Sequence, residues 1–332
     1  MRNSKIIGIG KYIPERVVTN FELEKIMDTS DSWIRERTGI IERHWAKEGA
    51  ETNSWMGAQA AKAALEMAGL KPQDIDFIIY ATLSPDYYFP GSGCPMQVHL
   101  GIPGIGAMDV RNQCTGFIYA LATADQFIKT GMYDNILVVG SEVHNSGLNL
   151  STEGRDVAVL FGDGAGAAVL TATTEKNKGI LSSHLHADGN YTKELWVENP
   201  GSNSYPVVDH EDVDEGSIYP YMNGRNVFKH AVTKFPEVIY EALNANNYTP
   251  EDVDLVIPHQ ANERITEAVQ IRLKLPREKV FRNIHKYGNT TAASIPIAMT
   301  EALEEGLIRE NSLVCLAAFG SGFTWASSLI RW

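Results

Sequence analysis

Basic charge, cysteine and long apolar runs are all scarce in this sequence, and each scarcity removes a class of function. Lysine and arginine number 29 against 41 aspartates and glutamates, a formal charge of −12. Nonspecific nucleic-acid binding needs a basic surface and is therefore disfavoured. The same charge favours solubility and says little about fold. Three cysteines, a small and odd number, do not make a disulfide framework. There is no CxxC pair, and nine histidines show no HExxH pattern, so neither a metal nor another resident cofactor is expected. The opening MRNSKIIGIGKYIPERV holds too short an apolar stretch for a signal peptide. No run approaches the roughly 18 apolar residues of a membrane span. The expectation is a reduced, soluble, cytoplasmic protein that binds neither nucleic acid nor membrane.

What is present is an internal repeat. The 332 residues, 44% hydrophobic and 21% charged, suffice for two domains or one large duplicated one. NSWMGAQAAKAALEMAGL (53–70) has apolar residues at helical spacing, ends at Gly69, and leads into a buried strand at Phe77–Tyr80. TPEDVDLVIPHQ (249–260) repeats KPQDIDFIIYAT (71–82), with Pro72 matching Pro250 at an offset of 178. The segment from Cys114 resembles the one from Asn289 at an offset of 175: helix, Gly, polar turn, apolar strand. Two matches at nearly one offset predict two α/β halves packed with pseudo-twofold symmetry.

The repeat also marks a candidate site. Cys114 and Asn289 stand at predicted helix starts, and His259 follows a strand, the places where α/β proteins gather chemistry. A cysteine at a helix N-terminus gains thiolate character, and a neighbouring histidine helps further. His259 and Asn289 are two neutral donors able to form an oxyanion hole. Each has a plainer reading: inert core for Cys114, a satisfied polar group for His259, an αL turn residue for Asn289 after Gly288. Cys94 and Cys315 read as packing residues. FGDGAGAAVL (161–170) is followed by strand rather than helix, which excludes a dinucleotide fingerprint and suggests a tight turn between strands.

Several stretches together resemble β-ketoacyl-acyl-carrier-protein synthase III, a condensing enzyme of the thiolase superfamily. They are DTSDSWIRERTGIIERH (28–44), CTGF, FGDGAGAAVL, PHQAN (258–262) and YGNTTAASIP (287–296), within a likeness that runs nearly end to end. The resemblance implies a thiolase-like αβαβα fold of two similar halves: 1–172, carrying the nucleophilic Cys114, and 173–332, carrying His259 and Asn289. It implies a homodimer that loads an acyl group from acyl-CoA onto Cys114. The dimer then condenses it with malonyl-acyl-carrier protein, losing CO2 in fatty-acid chain initiation, with His259 and Asn289 stabilising the enolate. By the same likeness the Cys114 and Ser321 N–H groups hold the second oxyanion, and Phe319 favours decarboxylation. Trp33, Arg37 and Arg155 meet the CoA nucleotide, while Gly224, Phe228 and Asn262 line the pantetheine tunnel. Phe89 reaches the partner's acyl pocket. Lys229, Arg264, Arg272 and Lys274 offer a basic patch for the carrier protein, or simply a solvated helix face.

The chain departs from the family pattern at Arg111, Asn112 and Gln113 before the nucleophile, at Ser321, and over HNSGLNLSTEG (144–154). These departures leave the acyl substrate open. A specialised relative with a different second substrate is the alternative. From other classes come a cysteine hydrolase with a Cys–His–Asn triad and a non-catalytic carrier-binding subunit.

Overall fold

Two helices have almost no solvent-facing side, and that fixes the architecture. Nine of the eleven residues of Ser294–Glu304 are buried, and Gly116–Lys129 buries Phe117, Ile118, Leu121 and Ile128 along its length. A helix apolar nearly all round belongs inside. In the computed structural model, which describes residues 2–332, these two helices form the middle layer between two sheets.

The chain forms β1 (Asn3–Tyr12), β2 (Arg16–Thr19), β3 (Glu42–Trp45), β4 (Phe77–Ala81), β5 (Gly106–Val110), β6 (Asn135–Glu142) and β7 (Gly164–Thr173). There follow β8 (Gly179–Ala187), β9 (Leu195–Trp196), β10 (Tyr221–Met222), β11 (Leu255–Pro258), β12 (Leu313–Gly320) and β13 (Thr324–Arg331). One sheet has the order β1-β7-β6-β4-β5 and the other β8-β13-β12-β11. Each contains a parallel pair (β4 with β6, β11 with β12), and antiparallel partners follow from it towards β1 or β8. Val280 bridges Val256 in parallel, a vestige of the place β5 takes beside β4. Phe117, Leu121, Ile295 and Met299 of the middle layer share one core with Ile79 and Val138 of the first sheet and Leu316 and Ala318 of the second.

Outer helices complete five layers, α-β-α-β-α, as the resemblance implies. Asn53–Ala68 covers the first sheet so closely that a Cβ on Gly10 would lie 2.5 Å from the Ala60 carbonyl oxygen. Gly224–Ala245 and Glu263–Leu273 cover the second, sharing a core of Phe235, Val269 and Phe319. No helix among the described residues is long and apolar enough to cross a membrane.

The repeat is real, but one of its two offsets is corrected. The single-turn helices Gln113–Thr115 and Thr291–Ala293 stand 291 − 113 = 178 residues apart. So do the middle-layer helices, from Gly116 and Ser294, and the strands β6 and β12, from Asn135 and Leu313. Cys114 is thus the counterpart of Ala292, and Asn289 that of Arg111. Aligning the threonines of CTGF and NTTA shifts the comparison by three residues; the backbone turns set the true register.

FGDGAG is also not a turn between strands. Phe161–Asp163 follows the short helix Arg155–Ala158, and Phe161 bridges Asn289. The glycines then serve packing: a Cβ on Gly166 would fall 2.7 Å from Pro296 of the middle layer.

Candidate active site

Where β5 ends, the backbone turns sharply through Gln113, φ +42°, and presents Cys114 in the single turn that runs into Gly116–Lys129. The turn is wedged between the end of β12 and the turn of Thr291–Ala293. A Cβ on Gly320 would lie 2.7 Å from Cys114 Sγ, so only glycine fits there. The backbone N–H groups of Cys114 and Ser321 both interact with the thiol. The Ser321 hydroxyl does not crowd the site: it donates to the Leu195 carbonyl and ties this loop to β9.

The protonation state differs from the expectation of a thiolate. Burial and the Glu142 carboxylate push the Cys114 thiol up to about 12, against the pull of those two N–H groups. Desolvation outweighs the helix start. His259 lends no charge, because burial lowers its imidazole to about 3. Alkylation of Cys114 by iodoacetamide, mapped by peptide in a Cys94→Ser background, should therefore climb about tenfold per pH unit between about pH 7 and 9 without levelling. A plateau below about pH 8 would mean that a thiolate exists at rest. The background matters because Cys94, expected to be a packing residue, is exposed, whereas Cys315 is buried in β12 as expected.

His259 follows β11, and its N–H donates to the Ala317 carbonyl at 2.8 Å. Only 1% of the residue is exposed. Nδ1 meets Ser294 Oγ at 2.6 Å, while Nε2 is buried with no partner. Ser294 Oγ also accepts the Gln260 N–H at 3.4 Å and still has a proton to give to Nδ1. With Ser294 as that donor, the ring proton stands on Nε2. Asn289 is fixed by its N–H to Leu160 and by its carbonyl, which accepts Gly162 N–H. Its Oδ1 accepts Thr291 N–H at 2.9 Å, leaving Nδ2 as the free donor. It is not an αL turn residue: the positive φ values fall on Gly288 and Thr291 instead.

Glu142, at the end of β6, holds the surrounding loops. Its carboxylate accepts from Thr82 Oγ1, Ser84 Oγ and the N–H groups of Leu83, Ser84 and Ala292. Burial raises it to about 7 despite these bonds. Sequence reasoning missed Glu142 and the role of Ser294. Ser294 lies inside the YGNTTAASIP motif, but its partner is 35 residues away, and no local pattern reports that contact.

A cavity of about 770 Å3 reaches Cys114, with Gln113, His144, Phe161, Thr291 and Ser321 also on its wall. His259, Asn289 and Phe319 do not line it, and neither do Trp33, Arg37, Arg155, Gly224, Phe228 and Asn262. Three of them form a cluster elsewhere, with the Arg37 and Arg155 guanidinium carbons 5.1 and 5.6 Å from the Trp33 ring centroid. Asn262 Nδ2 donates to the Arg37 carbonyl at 3.0 Å. Gly224 begins the helix that carries Phe228, and Arg264 lies 5.8 Å over the Phe228 ring. Lys229, Arg264, Arg272 and Lys274 are exposed on or beside two helices packed together. Phe89 is 81% exposed, so it does not pack into the core of its loop. Among the described residues, no group of three or more His, Cys, Asp or Glu side chains is placed to hold a metal ion.

Two family models match the chain: 3-oxoacyl-acyl-carrier-protein (ACP) synthase III over residues 108–189 and its C-terminal part over 243–332. The beta-ketoacyl-acyl-carrier-protein synthase III of Caldanaerobacter subterraneus is 48% identical over 98% of this chain and 97% of that protein. The crystal structure of the Aquifex aeolicus 3-oxoacyl-acyl-carrier-protein synthase III is similar at TM-score 0.90 and 46% identity, covering 99% of this chain and all of that one. The priming beta-ketosynthase of the R1128 polyketide pathway superposes at TM-score 0.90 with 31% identity, over 99% of this chain and 96% of that one.

Proposed function

The chain belongs to the β-ketoacyl-acyl-carrier-protein synthase III family, and from that premise we propose how its residues carry the reaction. It is an acyltransferase that condenses an acyl primer with malonyl-acyl-carrier protein to start a fatty-acid chain. Cys114 attacks the primer thioester, whose developing oxyanion the N–H groups of Cys114 and Ser321 receive. The acyl group passes to sulfur and the thiol proton ends on the departing CoA thiol. Malonyl-acyl-carrier protein then loses CO2. The resulting enolate oxygen lies between His259 Nε2–H and Asn289 Nδ2–H, while its carbon attacks the acyl-Cys carbonyl; the acyl–sulfur bond breaks and the Cys114 thiolate takes a proton from water. Phe319, buried on β12 against Phe323, offers an apolar face that favours loss of the carboxylate. Decarboxylation itself supplies the carbanion, so the scheme calls on no base and no cofactor beyond the two thioesters.

One observation carries this reading: His259 and Asn289 each have one polar atom occupied and one side-chain nitrogen left without a partner. It also disfavours a hydrolase, in which Asn would orient His as base, because His259 Nδ1 is bonded to Ser294 and Asn289 Oδ1 to Thr291 N–H. The experiment is intact-protein mass spectrometry after exposure to acyl-CoAs, followed by malonyl-acyl-carrier protein. A stable acyl-Cys114 that yields CO2 and a β-keto product supports condensation; free acid alone would support hydrolysis.

The CoA nucleotide is assigned to Trp33, Arg37 and Arg155, a stacking face flanked by two cations. Pantetheine is assigned to Gly224, Phe228 and Asn262, and the carrier protein to Lys229, Arg264, Arg272 and Lys274. The matched strand orders support two halves divided near 172/173, where the boundary meets the last residue of β7. The protein is assigned to the cytoplasm as a homodimer. Tyr87, Tyr88, Phe89 and Val98 form exposed apolar surface, which suits a partner subunit, with Phe89 against the partner's acyl pocket. Phe89→Ala should then shift kcat/KM towards longer acyl-CoAs by a few carbons, since one methylene discriminates by roughly 1–3 kcal/mol. An unchanged chain-length profile would leave that wall unassigned.

A further inference from the structure

His144 stands on the wall of the cavity that reaches Cys114, and the condensation makes no use of it. Its backbone N–H donates to Asp163 Oδ1 at 2.6 Å, which fixes the chain just beyond β6. The ring lies against Phe161, centroids 4.6 Å apart, and Nε2 meets Thr291 Oγ1 at 2.7 Å. Rotamer and ring plane are thus held from two sides. Nδ1 has no protein partner among the described residues, and it is not sealed in as His259 Nε2 is: it opens on the cavity. A plain alkyl chain filling that space would strip water from this nitrogen and give it nothing in return. A site built around such a polar atom rejects the substrate that lacks the matching group.

The charge of the wall narrows the matching group. Burial holds the His144 ring neutral, lowering it to about 3, so it supplies no cation for a carboxylate. The cavity margin carries Glu48, Glu51 and Asp86 against Lys47 and Arg111, which gives an anionic tail no net attraction. Phe161, Leu83 and Leu195 on the same wall suit carbon on either side of a single polar atom.

We propose that this pocket selects a primer whose acyl chain bears an uncharged oxygen, a hydroxyl or keto group, and that His144 is the residue that reads it. The proposal rests on Cys114 being the acylated residue.

The experiment compares four-carbon primers of nearly equal size: butyryl-CoA, 3-hydroxybutyryl-CoA in both configurations, 4-hydroxybutyryl-CoA and acetoacetyl-CoA. The rate of loading on Cys114 is read by intact mass and peptide mapping on the wild-type protein and on His144→Leu and His144→Gln. At least one oxygenated primer should load about tenfold faster than butyryl-CoA or more. His144→Leu should reverse that ratio, and His144→Gln, which keeps a hydrogen-bonding group, should retain part of it. Thermal melting of both variants checks that they fold; a destabilised His144→Leu leaves the wild-type and His144→Gln ratios to decide. If butyryl-CoA loads as fast as every oxygenated primer and neither variant moves the ratios, the proposal falls while the Cys114 reading stands. If no acyl-CoA modifies Cys114, both fall.

Discussion

Cys114→Ser should reduce acyl loading from acyl-CoA to background, while Cys94→Ser and Cys315→Ser load at the wild-type rate. The three cysteines differ in the surroundings that a nucleophile requires. Cys315 is sealed within β12 with its thiol pushed up to about 12 by burial alone, and Cys94 sits exposed on the helix Gly93–Leu100. Only Cys114 combines a cavity opening onto it with two backbone N–H groups beside the sulfur. A serine there keeps the shape but presents an alcohol, far harder to deprotonate, in a site with no adjacent base. Intact mass after incubation with an acyl-CoA decides the matter. A full mass increment in the Cys114→Ser protein would sink the mechanism.

His259→Ala and Asn289→Ala should each slow malonyl decarboxylation by about 10²–10³, the usual loss when one oxyanion donor is removed. Acyl loading should persist in both, because the first oxyanion is held by backbone N–H groups that neither substitution touches. Ser294→Ala should follow in the same direction with a smaller loss. Without its proton on Nδ1, the ring is free to place its hydrogen on either nitrogen, and part of the population then faces the enolate with an acceptor. Release of labelled CO2 from malonyl-acyl-carrier protein, measured alongside acyl loading by mass, separates the two half-reactions. Wild-type CO2 release in both His259→Ala and Asn289→Ala would show that the roles assigned here are wrong.

Much of this protein is written locally. The period of apolar residues over Asn53–Ala68, with Gly69 at φ +68° closing the helix, and the run Phe77–Ala81 follow from neighbours within a turn or a strand. The Pro-x-Asp-x-Asp repeat reports the true 178-residue register because it marks a backbone turn, Pro72–Asp74 and Pro250–Asp252, that both halves need. The proposed trio Cys114, His259 and Asn289 could be picked out because each lies in a short contiguous motif. The motif also contains the glycine or turn that shapes its backbone.

What only the tertiary structure decided involves partners far apart in the chain. The Cys114–Asn289 equivalence fails by three residues because side-chain resemblance is weaker than the requirement that Gln113–Thr115 and Thr291–Ala293 occupy matching turns. Thiol protonation could not be read from a helix start. It depends on burial and on Glu142, 28 residues further along the chain and brought near by β6. The tautomer of His259 rests on Ser294, and the polar face of the cavity rests on His144 meeting Thr291 across 147 residues. Sequence pattern determines which backbone forms and which side chains it presents. Desolvation and hydrogen-bond partnership, which set the chemistry of those side chains, arise only when distant segments exclude water together.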